Sequence, residues 1–105
     1  MNRIAQLNDA FRTTFAGGKV MVTASVQALP TDVMAQALGT VRRFNEFDED
    51  NDPHEEHDFG SFELAEQTFF FKIDYYDKDM EHGSEDPADP AKTTRVLTLM
   101  LAEDY

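Results

Sequence analysis

The strongest constraint on the fold is an aromatic run at residues 69–79, which reads Phe-Phe-Phe-Lys-Ile-Asp-Tyr-Tyr-Asp-Lys-Asp. Successive side chains of an extended strand point to opposite faces, so the run divides into two sets. One set is almost entirely apolar, and the other mixes aromatic and charged residues. The pattern predicts the central strand of a sheet, whose two faces carry Phe69, Phe71, Ile73 and Tyr75, and Phe70, Lys72, Asp74 and Tyr76.

The first half of the chain predicts two helices and one strand. Apolar residues at helical spacing predict a helix over residues 3–15, which the glycines at 17 and 18 would end. Residues 19–26 are short and rich in valine, which favours a strand. A second helix begins near Thr31, which we expect to cap it, with Asp32 in its first turn and Arg42 and Arg43 in its last.

The second half predicts further strands. Residues 59–65 form a strand that turns at 66–67 into the central one. Residues 93–101 fit a strand or a helix, and their threonines and Val96 favour the strand, which places Arg95 on the same face as Leu97 and Leu99.

The expected fold class is therefore α+β, with two helices packed on a small antiparallel sheet of three to four strands. At 105 residues we expect one domain. Its predicted core is Ile4, Leu7, Phe11, Phe15, Leu38, Val41, Phe62, Leu64, Phe69, Phe71, Ile73, Leu97 and Leu99.

Charge limits the classes of function. The chain has 21 acidic and 9 basic residues, a net charge of −12. Such a charge repels nucleic acid and anionic membranes and attracts basic protein surfaces. The absence of cysteine excludes disulfides and a thiolate nucleophile. Because we find neither a signal peptide nor an apolar run of roughly 20 residues, we expect a soluble cytoplasmic protein.

The negative charge is concentrated in two polar segments, residues 45–58 and 77–92, which we expect to be loops. Residues 46–89 hold 17 acidic and two basic residues, a net −15, while the rest holds four acidic and seven basic residues, a net +3. If the central hairpin brings both loops to one end of the sheet, they share one acidic surface.

Motifs for catalysis are weak. His54, His57 and Asp58, with His82, could bind Zn²⁺, but histidines in an acidic loop more often bond to neighbouring carboxylates. Asp74 and Asp77 could act as an acid and a base, but a structural role at a turn is the commoner one. We therefore expect no cofactor, and a metal-dependent hydrolase using the His54, His57 and Asp58 region remains an alternative.

The leading hypothesis is a non-enzymatic acidic binding protein that blocks a basic surface of a partner such as a nuclease or CRISPR effector. Its sharpest form is a nucleic-acid mimic of the anti-restriction or anti-CRISPR type, which binds no nucleic acid directly. Another alternative is a self-associating accessory domain. Tyrosine can anchor a partner that carboxylates steer. The candidate partner-binding residues are Asp48, Glu49, Asp50, Asp52, Glu55, Glu56, Asp58, Asp74, Tyr76, Asp77, Asp79, Glu81, Glu85 and Asp86.

Five short motifs resemble an uncharacterised bacterial domain family of unknown function. They read Asn-Asp-Pro at 51–53, His-Asp-Phe-Gly at 57–60, Phe-Lys-Ile-Asp-Tyr-Tyr-Asp at 71–77, Gly-Ser-Glu-Asp-Pro-Ala-Asp-Pro at 83–90 and Arg-Val-Leu-Thr at 95–98. The resemblance runs from Ile4 to Tyr105. It implies no activity, ligand or functional residue.

Overall fold

The computed structural model describes residues 2–105 and has the expected α+β class. Its helices and strands are, in chain order, α1 (Arg3–Thr14), β1 (Gly18–Val22), α2 (Ala24–Gln27), α3 (Thr31–Arg43), β2 (Phe59–Leu64), β3 (Gln67–Tyr76) and β4 (Thr94–Leu101), followed by a 3₁₀ turn, Ala102–Asp104. None of the helices within residues 2–105 has both the length and the apolar content needed to cross a membrane.

The sheet has four strands in the order β1-β4-β3-β2. The aromatic run forms β3, which lies between β4 and β2 and is antiparallel to both. The last segment is a strand, β4, as expected. The prediction of a purely antiparallel sheet is wrong, because β1 pairs with β4 in parallel. Alternation fixes which side chains share a face, but it carries no information on the direction of a neighbouring strand.

Asn2 is the N-cap of helix α1, and its Oδ1 accepts a hydrogen bond from the backbone N–H of Ala5 at 2.7 Å. The helix ends at Phe15 rather than at the glycines, because Phe15 itself adopts the left-handed conformation, with φ of 59°. The face of α1 turned to the core also differs from the prediction. Ala5, Asn8, Phe11 and Arg12 are buried, whereas the predicted core residues Ile4, Leu7 and Phe15 are only half-buried.

The predicted strand over residues 19–26 is too long. Strand β1 ends at Val22, and the chain then forms the short helix α2, in which Val26 is fully buried. Thr23 joins the two, since its backbone N–H still donates to the carbonyl of Leu99 at 3.1 Å.

Helix α3 has the expected charges at its two ends but not the expected cap. Asp32 lies in the first turn and Arg42 and Arg43 in the last, where each favours the helix dipole. The N-cap is Pro30, so Thr31 is the first helical residue and caps nothing. Ala37 and Val41 are the buried residues of α3.

Strands β2 and β3 form the predicted hairpin, but its turn lies one residue earlier, at Ala65 and Glu66. Both residues have positive φ, 51° and 63°. Two-residue hairpin loops favour such conformations because their twist matches that of the strands. No Gly or Asn marks the turn, so the sequence pattern predicted it one residue too late.

The core lies between one face of the sheet and the helices. Phe69, Phe71, Leu97 and Leu99 are fully buried on this face, and Phe11, Val41 and Phe44 pack against them. The predicted core residues Leu38, Phe62 and Leu64 pack at its margin and are half-buried.

Gly60 makes room for the Phe71 ring. A Cβ atom at Gly60 would lie in collision with that ring, 2.7 Å from Cζ of Phe71, and 2.8 Å from Cε1 of Phe44. Because both rings are buried and packed edge to face, neither can move aside freely. We expect Gly60→Ala to lower the free energy of unfolding by about 1–3 kcal/mol, measured by urea denaturation.

Gly83→Ala is the matched control for this prediction. A Cβ at Gly83 meets only the carbonyl oxygen of Tyr75, at 3.8 Å, which is an ordinary contact. We expect this variant to lie within about 1 kcal/mol of the wild type or to be more stable. Equal stabilities for the two alanine variants would contradict the packing argument.

Candidate functional site

The two acidic loops meet at one end of the sheet. Because β2 and β4 are both antiparallel to β3, the start of β2, the end of β3 and the start of β4 lie at the same end. The backbone N–H of Ile73 donates to the carbonyl of Asp58 at 2.8 Å, and Tyr76 bridges to Gly83. We call this region, residues 45–58 and 77–92, the acidic end.

The first loop is folded by its own side chains. Oδ1 of Asp48 accepts from the backbone N–H groups of Asp50 and Asn51 at 2.9 and 3.0 Å, and Oδ1 of Asn51 accepts from that of Asp48 at 3.0 Å. Such side-chain-to-backbone bonds define Asx-type turns. They hold Glu49 and Asp50 at the exposed tip of the turn.

Asp52 and His57 join this loop to α1. Asp52 is 5% exposed, and its Oδ1 accepts from the backbone N–H groups of Glu56 and His57 at 2.9 and 3.0 Å. Nδ1 of His57 lies 3.0 Å from the carboxylate of Asp9, and Nε2 lies 3.7 Å from Oδ2 of Asp52. The His57 ring also stacks on Phe47, with centroids 4.2 Å apart. The loop is therefore bound to the body of the protein.

Arg12 provides the base of this attachment. Its Nη2 donates to Oδ1 of Asp9 at 3.0 Å, and its Nη1 donates to the carbonyls of Val41 and Phe44 at 2.9 and 2.8 Å. These carbonyls belong to the last turn of α3 and to its C-cap, Phe44, where backbone acceptors lack helical partners. The guanidinium also lies 5.3 Å from the centroid of the Phe47 ring. One buried side chain thus positions the end of α3 and the start of the first loop.

A second buried group centres on Asn8, which is 0% exposed. Its Oδ1 accepts from Nε of Arg95 at 2.7 Å, and its Nδ2 donates to the hydroxyl of Tyr75 at 2.8 Å and to the carbonyl of Glu56 at 2.9 Å. The Tyr75 hydroxyl donates to Oε1 of Glu56 at 2.9 Å, and Nη2 of Arg95 donates to the carbonyl of Pro87. The group therefore joins both acidic loops to α1, β3 and β4.

Burial shifts the pKa values of two members of this group, Tyr75 and Arg95. It raises the pKa of Tyr75 far above its ordinary value, so the phenol stays neutral and remains a donor to Glu56. Burial also lowers the pKa of Arg95, but a guanidinium still stays charged at any physiological pH. Tyr75 and Arg95 therefore keep the same protonation states across the physiological range.

The second loop is also ordered by hydrogen bonds between residues that are close in sequence. Oδ1 of Asp77 accepts from the backbone N–H of Glu81 at 3.1 Å, and Oδ1 of Asp89 accepts from that of Ala91 at 2.9 Å. The hydroxyls of Ser84 and Thr93 lie 2.7 Å apart, and Thr93 donates to the carbonyl of Asp86. The loop therefore has defined turns at both ends.

The candidate partner-binding residues differ in exposure. Asp52 is buried and structural, and Glu56, Asp58, Asp74, Tyr76 and Asp77 are half-buried. Burial, followed by the nearby charge of Glu56, raises the pKa of Asp58. The exposed candidates are Asp48, Glu49, Asp50, Glu55, Asp79, Glu81, Glu85 and Asp86.

Few of these carboxylates are neutralised by a base. Among residues 2–105, the ion pairs that join a candidate to a lysine or arginine are Lys92–Glu85 at 3.3 Å and Lys72–Asp74 at 3.1 Å. Asp74 and Tyr76 belong to β3 and line a groove on the sheet, so they lie beside the acidic end rather than within its loops.

The metal hypothesis gains no support from side-chain positions. Within residues 2–105, no group of three or more His, Asp or Glu side chains is arranged to hold a metal ion. Nδ1 of His57 is hydrogen-bonded to the carboxylate of Asp9 and its Nε2 lies 3.7 Å from Asp52, and His54 and His82 are exposed. A hydrolase using His54, His57 and Asp58 stays a prediction.

Sequence analysis missed Asn8, Asp9, Arg12 and Arg95 as the residues that position the loops. Ala5, Asn8 and Arg12 have the spacing of one helix face. Because Asn8 and Arg12 are polar, a search for apolar residues at helical spacing does not identify that face as buried. Arg95 could have been found, because alternation in the last strand places it beside Leu97 and Leu99 on the core face.

Comparisons with known proteins give one match. The family model described as "Protein of unknown function (DUF3768)" matches residues 22–104, which include all five motifs but not α1. No curated protein and no solved structure matches the chain.

Proposed function

The chain belongs to the DUF3768 family of proteins of unknown function, and we propose that it is a non-enzymatic binding protein whose acidic end docks on a basic surface of a partner. The observation that carries this proposal is that two loops rich in carboxylates, with few lysine or arginine partners, lie together at one end of the sheet. A cytoplasmic location is part of the proposal.

Exposed carboxylates that have no lysine or arginine partner favour association with a basic surface. Exposed carboxylates such as Glu49, Asp50 and Glu81 add to a negative field at this end, and a field of one sign increases the association rate of an oppositely charged partner. Salt screens such a field, so the affinity should fall as ionic strength rises.

The anchoring of the loops also favours binding. Asp52 and His57 hold the first loop on α1, and Asn8 and Arg95 hold both loops on the sheet. Charges already in place lose little conformational entropy when a partner binds. Fixed positions are also what a nucleic-acid mimic needs, since its carboxylates must match sites that bind phosphates. The narrower proposal is therefore an inhibitor that covers the nucleic-acid-binding groove of a nuclease or CRISPR effector.

The test uses fluorescein-labelled decalysine as the basic probe, followed by fluorescence anisotropy. We expect the dissociation constant to rise at least about tenfold between about 50 and about 500 mM salt. Glu49→Gln with Asp50→Asn should weaken binding at low salt by about threefold, because two exposed charges leave the acidic end.

Asp32→Asn with Glu66→Gln is the matched control, since it removes two exposed charges outside both loops. A smaller loss in this control supports the proposal. Equal losses in the two double variants, or binding that ignores salt, would overturn it. For the narrower form, the protein should inhibit a basic endonuclease acting on plasmid DNA. An endonuclease that cleaves at full rate in excess protein would leave only the broader form standing.

A further inference from the structure

The second face of the sheet, opposite the core that the helices cover, also carries apolar side chains. Val96 and Met100 of β4 point away from the core formed by Leu97 and Leu99, yet each is only 4% exposed. They line a groove together with three large side chains that are exposed, Met21 at 56%, Met80 at 37% and Tyr105 at 77%. This face therefore has the composition of a packing surface.

These residues line a groove of about 560 Å³. The groove runs along β4 from the level of Tyr76, which pairs with Thr94, to Met100, which pairs with Phe70. Six residue steps of a strand span about 20 Å, which is also the length of a helix of about 13 residues. Methionine adapts its shape to a partner, and it is common at surfaces that accept amphipathic helices.

Acidic side chains outnumber basic ones at both ends of the groove, although Lys19 of β1, which pairs with Val96, lies on the same face. In the middle, Lys72 and Asp74 pair with each other at 3.1 Å. One end opens beside Met80 and the second acidic loop, and the other lies at Asp104. The hydroxyls of Ser25 and Thr23 donate to the Asp104 carboxylate and lower its pKa.

We propose that this groove binds an amphipathic basic helix of a partner protein, with apolar side chains against the exposed Met21, Met80 and Tyr105 and lysine or arginine side chains toward the two acidic ends. This inference rests on the proposed function, because the helix in the groove is a segment of the same partner that docks on the acidic end. It adds an apolar contact to an interaction that was otherwise electrostatic.

The position of the groove selects a helix rather than a strand. The groove lies on the face of the sheet, where no backbone donors or acceptors are free, because the ladders on both sides of β4 use them. A segment on that face must satisfy its own backbone hydrogen bonds, as a helix does. Helices already cover the opposite face in this way. Charge opposes a second copy as the occupant, since each copy carries −12.

The test compares two synthetic peptides of about 14 residues that contain the same leucines and lysines. In one, the leucines follow helical spacing, and in the other their order is permuted so that no apolar face forms. We expect the wild-type protein to bind the amphipathic peptide at least about tenfold more tightly, measured by isothermal titration calorimetry. Equal affinities for the two peptides would overturn the proposal.

Two variants locate the binding site. Met21→Lys places a positive charge at the edge of the groove, and Tyr105→Ala removes an exposed ring from it, so neither change should disturb folding. We expect each to weaken binding of the amphipathic peptide, Met21→Lys by about tenfold. Ser61→Lys is the matched control, because Ser61 is exposed on the same face, opposite Phe70 on the edge strand β2 and outside the groove. An equal effect of the two lysine variants would contradict the location.

Decalysine binding and peptide binding together distinguish a failure of the groove proposal from a failure of the proposed function. Decalysine has no apolar side chain, so Tyr105→Ala should not change its affinity. If decalysine binds in a salt-dependent manner but the two longer peptides bind equally, the groove proposal fails and the proposed function stands. If decalysine does not bind, the proposed function fails. Light scattering that shows a dimer, which Met21→Lys dissociates, would overturn the peptide assignment in favour of a second copy.

Discussion

Replacing Arg12 with methionine is expected to lower the free energy of unfolding by about 3 kcal/mol. The change leaves the carbonyls of Val41 and Phe44 and the carboxylate of Asp9 without their charged donor. Methionine retains much of the packing against Phe47 and Phe71, so the loss reports hydrogen bonding more than volume.

Two features of the site limit the size of this effect. Nε of Arg12 is buried and has no hydrogen-bond partner in the described part of the chain, so methionine removes one unfavourable group. Asp9 is 29% exposed at its side chain and keeps His57 as a partner, so it is not left isolated. For these reasons we place the cost at the lower end of the range for buried charge pairs.

The measurement is urea denaturation, followed by circular dichroism and tyrosine fluorescence. Arg3→Met is the matched control, since Arg3 is exposed in the same helix, and it should stay within about 0.5 kcal/mol of the wild type. Hydrogen exchange should also speed up at residues 47–57, because Arg12 holds this segment through Asp9 and His57. Equal stabilities of the two methionine variants would refute the role assigned to Arg12.

Replacing Asn8 with leucine should cost a similar amount, about 3 kcal/mol. The side chain is nearly the same size, but Nε of Arg95 loses its acceptor and the carbonyl of Glu56 loses a donor. The site is fully buried, so water cannot replace these partners without opening the structure. The added apolar surface recovers only part of the loss.

Asn45→Leu is the control for this prediction, because Asn45 is exposed in the first loop. It should lie within about 0.5 kcal/mol of the wild type. Since Asn8 also connects to Tyr75, a shift in the tyrosine absorbance of Asn8→Leu would report the changed environment of that phenol. An Asn8→Leu protein as stable as the wild type would mean that the buried network adds nothing to the fold.

These two predictions concern side chains that decide whether the acidic loops are held in place. Arg12 acts on the first loop through Asp9, and Arg95, which Asn8 orients, contacts the second loop at Pro87. The proposed mimicry depends on such positioning, whereas attraction for decalysine depends only on charge. Comparing endonuclease inhibition with decalysine binding in Arg12→Met and Asn8→Leu therefore shows whether the positions of the charges matter in addition to their number.

The sequence by itself determined the features that depend on near neighbours. Alternation in residues 69–76 specified a strand with Phe69, Phe71 and Ile73 on its core face, because the two-residue period is a local property of an extended chain. Helix and loop composition likewise indicated α1, α3 and the two acidic segments. The net charge of −12 required no structure at all.

Only the tertiary structure decided which distant segments meet. The parallel pairing of β1 with β4, the burial of Asn8 and Arg12 and the position of His57 between Asp9 and Asp52 all join residues far apart in the chain. Such contacts depend on strand order and on how the helices lie on the sheet. A buried polar residue looks like a surface residue in the sequence, because the partners that make its burial favourable come from other elements.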